Sequence, residues 1–211
     1  GAPVTGEKYA IVIGISDYPG TASDLQYCDD DAMDMVAALE GYGFSGNIIT
    51  LTDGAATRTA IIEAIRYVAG QAEADDEVVF FFSGHGGRGK ADDFDKEAID
   101  ECIWSHDGSS FVPIWDGELA VEFSAYETNR IVFIFDSCYA GGMTDLKGTG
   151  RIVAMATTEN TLSAEYTALE NGEFTYYMID QGMIYCLADK YDSTAGVPDV
   201  TIEESWDYAK L

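Results

Sequence analysis

The stretch EVVFFFSGHGG, Glu77 to Gly87, carries five apolar residues in succession into a Ser-Gly-His-Gly-Gly segment. A continuous apolar run of strand length that stops at a turn signal reads as a β-strand buried on both faces. Strands of that kind belong to parallel sheets covered by helices. His85 is one of only two histidines in the chain, and it stands just past the strand's end. About fifty residues on, IVFIFDSCYAGG, Ile131 to Gly142, has the same form. There an apolar run ends at an acid, a serine and a cysteine, and glycines follow.

Working outward, further strands are expected at KYAIVIGIS (Lys8 to Ser16), NIITL (Asn47 to Leu51) and RIVAMAT (Arg151 to Thr157). AIDECIWS, Ala98 to Ser105, fits a strand or a hairpin. Between these lie amphipathic patterns. CDDDAMDMVAALEGYGF reads as a helix with an acidic first turn, which suits the helix dipole. TRTAIIEAIRYVAG reads as a helix with a Thr cap and a Gly stop. WDGELAVEF, FTYYMIDQGMIYCLA and TIEESWDYAKL are expected helices, the last capped by Thr201. Strand alternating with helix predicts one α/β domain over residues 1–211, with residues 1–7 as a flexible lead-in. Its central sheet is expected to be mainly parallel, with about six strands and helices on both faces. In such sheets binding sites lie beyond the carboxyl ends of the strands, where His85 and Cys138 both sit.

The 211 residues can form a sizeable core without disulfides or metal. Asp and Glu number 38 against 11 Lys and Arg, a net charge of −27. That balance argues against nucleic acid or an anionic membrane as partner. It favours cations and basic peptides, although solubility or a high-salt medium accounts for much of it. Cys28, Cys102, Cys138 and Cys186 are widely spaced with no CxxC, so no zinc site is indicated. No apolar run reaches the ~18 residues of a membrane span. The chain opens GAPVTGEKYA, without Met or a signal-like core. It reads as an excised, soluble piece whose address is undetermined, and a monomer is expected.

A lone loop histidine is usually a solvated residue, and a lone cysteine an inert thiol. Together, past the ends of two buried strands and flanked by glycines, they point to a Cys–His dyad. A thiolate is a strong nucleophile, imidazole takes its proton, and glycines expose N–H groups to an oxyanion.

These two motifs resemble the paired His and Cys motifs of the caspase-like cysteine peptidases, most closely metacaspases and their bacterial and archaeal counterparts. The resemblance extends in order through YAIVIGISDYPG, LQYCDDDAMDM, LTDGAATRTAIIEAI, AIDECI, PIWDGEL, NGEFTYYMIDQG and VTIEESWDYAK. It implies a caspase-like fold, with Cys138 as nucleophile, His85 as acid/base, and the N–H groups of Gly86 and Cys138 as oxyanion donors. It implies a pocket of Cys28, Asp31, Ser83 and Asp136 that takes Arg or Lys before the scissile bond. Asp136 would then be a pocket wall rather than a group orienting His85. The resemblance further implies a regulatory Ca²⁺ held by Asp100, Asp116 and Asp145, hard oxygen ligands from three loops. The second acid of the family's pair falls on Gly117, so low affinity is expected unless Glu118 compensates. His106 in WSHDGSS matches no motif and reads as a solvated loop residue, as do the acids Asp92, Asp93 and Asp95. The glycines of MTDLKGTGR imply mobility that permits a self-cut after Lys147 or Arg151, but the short link equally permits an intact chain, and the intact form is expected. Two rival readings stand: a catalytically silent scaffold of the same shape, and a nucleotide binder using SGHGGRG. The second lacks the Lys-Ser/Thr of a P-loop.

Overall fold

The structure, a computed structural model, describes residues 6–92, 99–189 and 200–210. The chain begins with β1 (Lys8–Gly14), α1 (Cys28–Gly41), β2 (Ile48–Thr52), α2 (Arg58–Ala69) and β3 (Glu77–Ser83). A smaller unit follows: β4 (Gly86–Gly89), β5 (Asp100–His106), β6 (Phe111–Trp115) and α3 (Asp116–Phe123). β7 (Ile131–Asp136) and β8 (Arg151–Met155) complete the main sheet. The last elements are a hairpin of β9 (Glu165–Tyr166) and β10 (Asn171–Gly172), then α4 (Glu173–Thr175) and α5 (Ile202–Ala209).

The main sheet has five strands in the order β2-β1-β3-β7-β8, and every pairing is parallel. Its three central strands are apolar along their middles because both faces are covered. Ile11, Ile13, Phe80, Phe82, Phe133 and Phe135 pack on one face with Ile61 and Ile65 of α2 and Leu119 and Phe123 of α3. Ala10, Val12, Val79, Phe81 and Ile134 pack on the other with Met35 and Leu39 of α1 and Met178 and Ile179. Fully buried phenylalanines such as Phe80 anchor this core, and truncating one to alanine costs about 3–5 kcal/mol. The start of α1 lies against the end of β1. A Cβ on Gly14 would sit 2.0 Å from the Cys28 carbonyl oxygen, so only glycine permits that approach.

The expected sixth strand goes elsewhere. β4, β5 and β6 form a separate antiparallel sheet. The glycines after His85 are therefore a strand and not a turn, with Gly86 opposite Ile103 and Gly87 opposite Cys102. A side chain at Gly87 would strike the Trp104 indole, at 2.3 Å, so the glycines serve close packing. Two caps match their sequence pattern: Thr57 accepts from Ala60 N–H, and Thr201 with Glu204 forms a capping box on α5. The helix expected over 174–188 continues from α4 as a π-helix, Tyr176–Ile184, and ends there. Ser205 of α5 donates to the Met178 carbonyl inside it, at 2.5 Å.

Candidate active site

β3 and β7 run side by side with Ser83 paired to Asp136, and Gly84 N–H donates to the Asp136 carbonyl at 3.2 Å. His85 and Cys138 each lie two residues past that pair. Parallel pairing in register thus brings the two motifs to one place. A Cβ on Gly86 would sit 1.9 Å from the Cys138 carbonyl oxygen, so the two backbones touch, and glycine is required there. Tyr139 follows Cys138 in a left-handed conformation (φ 59°), a sharp turn after the strand.

His85 is held from three sides. Its N–H donates to the Tyr18 hydroxyl at 3.0 Å, and that hydroxyl donates to the Trp104 carbonyl at 3.0 Å. The Tyr18 ring lies 4.8 Å from the imidazole. His85 Nε2 lies 2.8 Å from the Ser23 carbonyl oxygen. A carbonyl only accepts, so Nε2 carries the proton, and Nδ1 is the basic nitrogen of the neutral ring. The orienting group is thus a backbone carbonyl. Asp136 bonds instead to Ser163 Oγ at 2.6 Å and to Thr175 N–H and Oγ1 at 3.0 and 2.9 Å.

His85 and Cys138 open on a cavity of about 150 Å³ whose walls include Cys28, Asp31, Ser83 and Asp136. A larger groove of about 540 Å³ shares Ser163 and Ala164 with it but contains neither His85 nor Cys138, so the histidine–cysteine pair faces the smaller cavity. Asp31 accepts from Ser83 Oγ at 2.6 Å and from Gly172 N–H at 2.9 Å. Burial pushes the Asp31 carboxyl well above the usual carboxylate range, and the neighbouring Asp136 adds to this. Burial raises Asp136 as well, against the pull of its hydroxyl donors. Two such carboxylates at the base of a cavity are electrostatically incomplete, and a cation between them relieves both. Burial also lifts the Cys28 thiol, and its Sγ lies 3.4 Å from Glu165 Oε1. Cys28 is therefore a wall of the cavity in its neutral form.

Several residues in or beside the cavity escape sequence reasoning. Ser23, Ser163, Glu165 and Gly172 lie in segments with no hydrophobic period, and Thr175 stands at the start of an expected helix with nothing to mark it as a partner of Asp136. The only cue was an acid and hydroxyls clustered in SAEY and NGEFT. His106 corrects its sequence reading. It is buried, its Nε2 donates to the Asp53 carbonyl at 2.9 Å, and its Nδ1 accepts from Gly108 N–H at 3.0 Å. It ties the end of β5 to the loop before α2, and WSHDGSS looked solvated only because its flanking residues are polar.

Asp100 opens β5, Asp116 opens α3, and Asp145 lies in the 3₁₀ helix Ala140–Leu146 that follows Cys138. These three elements pack on one another. Among the described residues, however, no three His, Cys, Asp or Glu side chains converge as a metal-binding group. Asp100 accepts from Ala91 N–H at 2.7 Å. The carboxylate of Glu118, the residue expected to compensate for Gly117, pairs with Arg58 of α2. Asp93 and Asp95 lie outside the described residues. The MTDLKGTGR segment is more packed than its glycines suggested. Met143 and Leu146 are buried, and the Arg151 guanidinium donates to the Phe123 carbonyl at 2.8 Å. Among the described residues, no helix is long and apolar enough to cross a membrane.

A five-stranded parallel sheet, helices on both faces, and a histidine and cysteine beyond adjacent central strands define a caspase-like α/β fold. A family model described as the caspase domain matches residues 7–194, and the chain belongs to that family of cysteine peptidases. Metacaspase-1 of Saccharomyces cerevisiae is 33% identical over 156 residues, covering 69% of this chain and 36% of the yeast protein. Metacaspase-1 of Schizosaccharomyces pombe is 33% identical over 155 residues, 68% of this chain and 36% of that protein. Metacaspase-1 of Cryptococcus neoformans is 31% identical over 189 residues, 84% of this chain and 41% of its own length. The chain thus spans well under half of these metacaspases. Among solved structures, protein GSU0716 from Geobacter sulfurreducens superposes with a TM-score of 0.67, covering 84% of this chain and 82% of the other, at 24% identity. That likeness concerns the fold.

Proposed function

We propose that this domain is an endopeptidase that cleaves after Arg or Lys through Cys138 and His85. The observation that carries this reading is the backbone contact of Gly86 with Cys138 above a cavity holding two buried carboxylates. His85 Nδ1 takes the Cys138 proton, and the thiolate attacks the scissile carbonyl carbon. The oxyanion forms against the N–H groups of Gly86 and Cys138. The imidazolium then gives its proton to the leaving amine, the C–N bond breaks, and a thioester remains. His85 next deprotonates a water that attacks the thioester, and the thiol departs with the proton returned. Asp31 and Asp136 hold the guanidinium or ammonium of the residue before the scissile bond, with Cys28 and Ser83 completing the walls.

Calcium enters this reading only as a regulator. Asp100, Asp116 and Asp145 supply hard oxygens from three mutually packed elements, one of which follows Cys138. An ion held there would bind weakly, because Gly117 lacks the second acid of the family's pair, and would act by shifting the population of the competent state.

Fluorogenic peptides ending in Arg, Lys, Asp or Asn, assayed with Ca²⁺ and with chelator, test both statements. Cleavage after Arg and Lys alone is expected. Efficient cleavage after Asp refutes the pocket assignment, and turnover by Cys138→Ala refutes the dyad.

A further inference from the structure

Asp31 and Asp136 are not the only acids of the cavity, because Glu165 is also part of its wall. Its position follows from the β9–β10 hairpin, where Glu165 pairs directly with Gly172. Cross-strand neighbours start about 5 Å apart at Cβ. Gly172 itself is wedged between the two aspartates, since a Cβ there would lie 2.4 Å from Asp136 Oδ2 and 2.9 Å from Asp31 Oδ2. The hairpin therefore brings a third carboxylate to the same cavity, on the side facing α1.

The bonds of Glu165 leave it capacity for a ligand. Oε1 accepts from Tyr27 N–H at 3.0 Å, from the Cys28 thiol at 3.4 Å and more loosely from Gln26 N–H at 3.3 Å, whereas Oε2 accepts from Gln26 N–H alone, at 3.2 Å. These amides lead into α1, whose N-terminal end favours an anion. They hold the carboxylate in place through its backbone-facing lone pairs. A carboxylate has about four acceptor directions, so Oε2, with a single shared donor, retains one, and Glu165 is part of the cavity wall.

Resting on the proposed cleavage after basic residues, we propose that Glu165 is a third specificity carboxylate, gripping the substrate's cationic head group together with Asp31 and Asp136. The ligand class that fits best is a guanidinium, whose five donors in a planar fork can serve acceptors on two walls at once.

Titration calorimetry of Cys138→Ala with a tetrapeptide ending in Arg, and with its neutral isostere ending in citrulline, tests this. It is run above the pH at which Asp31 ionises. The Arg peptide should bind more tightly than the citrulline peptide. Adding Glu165→Gln keeps an acceptor for the Tyr27 and Gln26 amides but removes the charge. It should weaken the Arg peptide roughly tenfold. Citrulline binding and the melting temperature should stay unchanged. Equal weakening of both peptides shows that Glu165 only braces the hairpin, and no weakening of either shows no contact. Each of these results overturns the proposal. If Arg and citrulline bind alike before Glu165 is altered, the basic-specificity reading fails, and the role of Glu165 fails with it.

Discussion

Gly172→Ala offers a sharp probe of the cavity. The backbone at Gly172 is ordinary (φ −59°, ψ 139°), so alanine adds no backbone strain. Its methyl would nevertheless lie 2.4 Å from Asp136 Oδ2, against an ordinary contact of 3.4 Å or more. One of the two must move by about 1 Å, the difference between those distances. Asp136 is tied by Ser163 and Thr175, and Asp31, 2.9 Å from the same methyl, by Ser83 and the Gly172 amide. Neither carboxylate can yield without breaking buried hydrogen bonds. Overpacking of this kind costs about 1–3 kcal/mol of stability. The greater effect falls on the substrate, because a displacement of about 1 Å in a positioning group lowers reactivity roughly 100-fold. The assay is kcat/KM on a peptide ending in Arg, paired with the rate at which iodoacetamide labels Cys138. Turnover should collapse while labelling persists, since the small electrophile needs the thiol and not the pocket. Undiminished turnover on the Arg peptide would show that the basic side chain does not enter this cavity.

Three further outcomes are expected. Cys138→Ala and His85→Ala should each abolish cleavage while leaving the melting temperature near that of the parent, and fluorogenic assay with thermal denaturation checks both. Binding of an Arg peptide to Cys138→Ala should strengthen as pH rises toward about 8, because Asp31 must lose its proton to meet a cation, and calorimetry in buffers of different ionisation enthalpy should record proton release. The same raised pKa has the opposite sign for folding. The folded state holds a proton that the unfolded state has lost between the usual carboxylate range and about 8, so Asp31 contributes a loss of stability as pH climbs through that window, at most about 1.4 kcal/mol per pH unit. Calcium should raise activity with half-saturation in the ~10⁻⁴ to 10⁻³ M range of weak sites, and Asp116→Ala should remove that response; a response that persists in this variant assigns the effect to diffuse surface charge.

The sequence by itself determined the elements whose information is local. β1, β3 and β7 were legible because both of their faces are covered, which leaves unbroken apolar runs. α2 and α5 were legible through their apolar period and Thr caps. The pairing of GHGG with DSCYAGG was legible in kind, since each motif ends a buried strand.

Tertiary structure alone decided which polar residues enter the interior. Asp29, Asp30 and Asp31 are identical in sequence terms at one helix start, yet only Asp31 is buried, because the β9–β10 hairpin closes over that face of α1. That hairpin has two residues in each strand, too few for any period, and it supplies Glu165 and Gly172. The orienter of His85 is a carbonyl, which every residue has, so Ser23 could carry no signature. The same limit separates His85 from His106. Each stands at the end of a strand, and what packs around it comes from residues distant in the chain. Local pattern reports the period of burial along one element. The charge a site presents depends on which elements meet, and that is set by the fold as a whole.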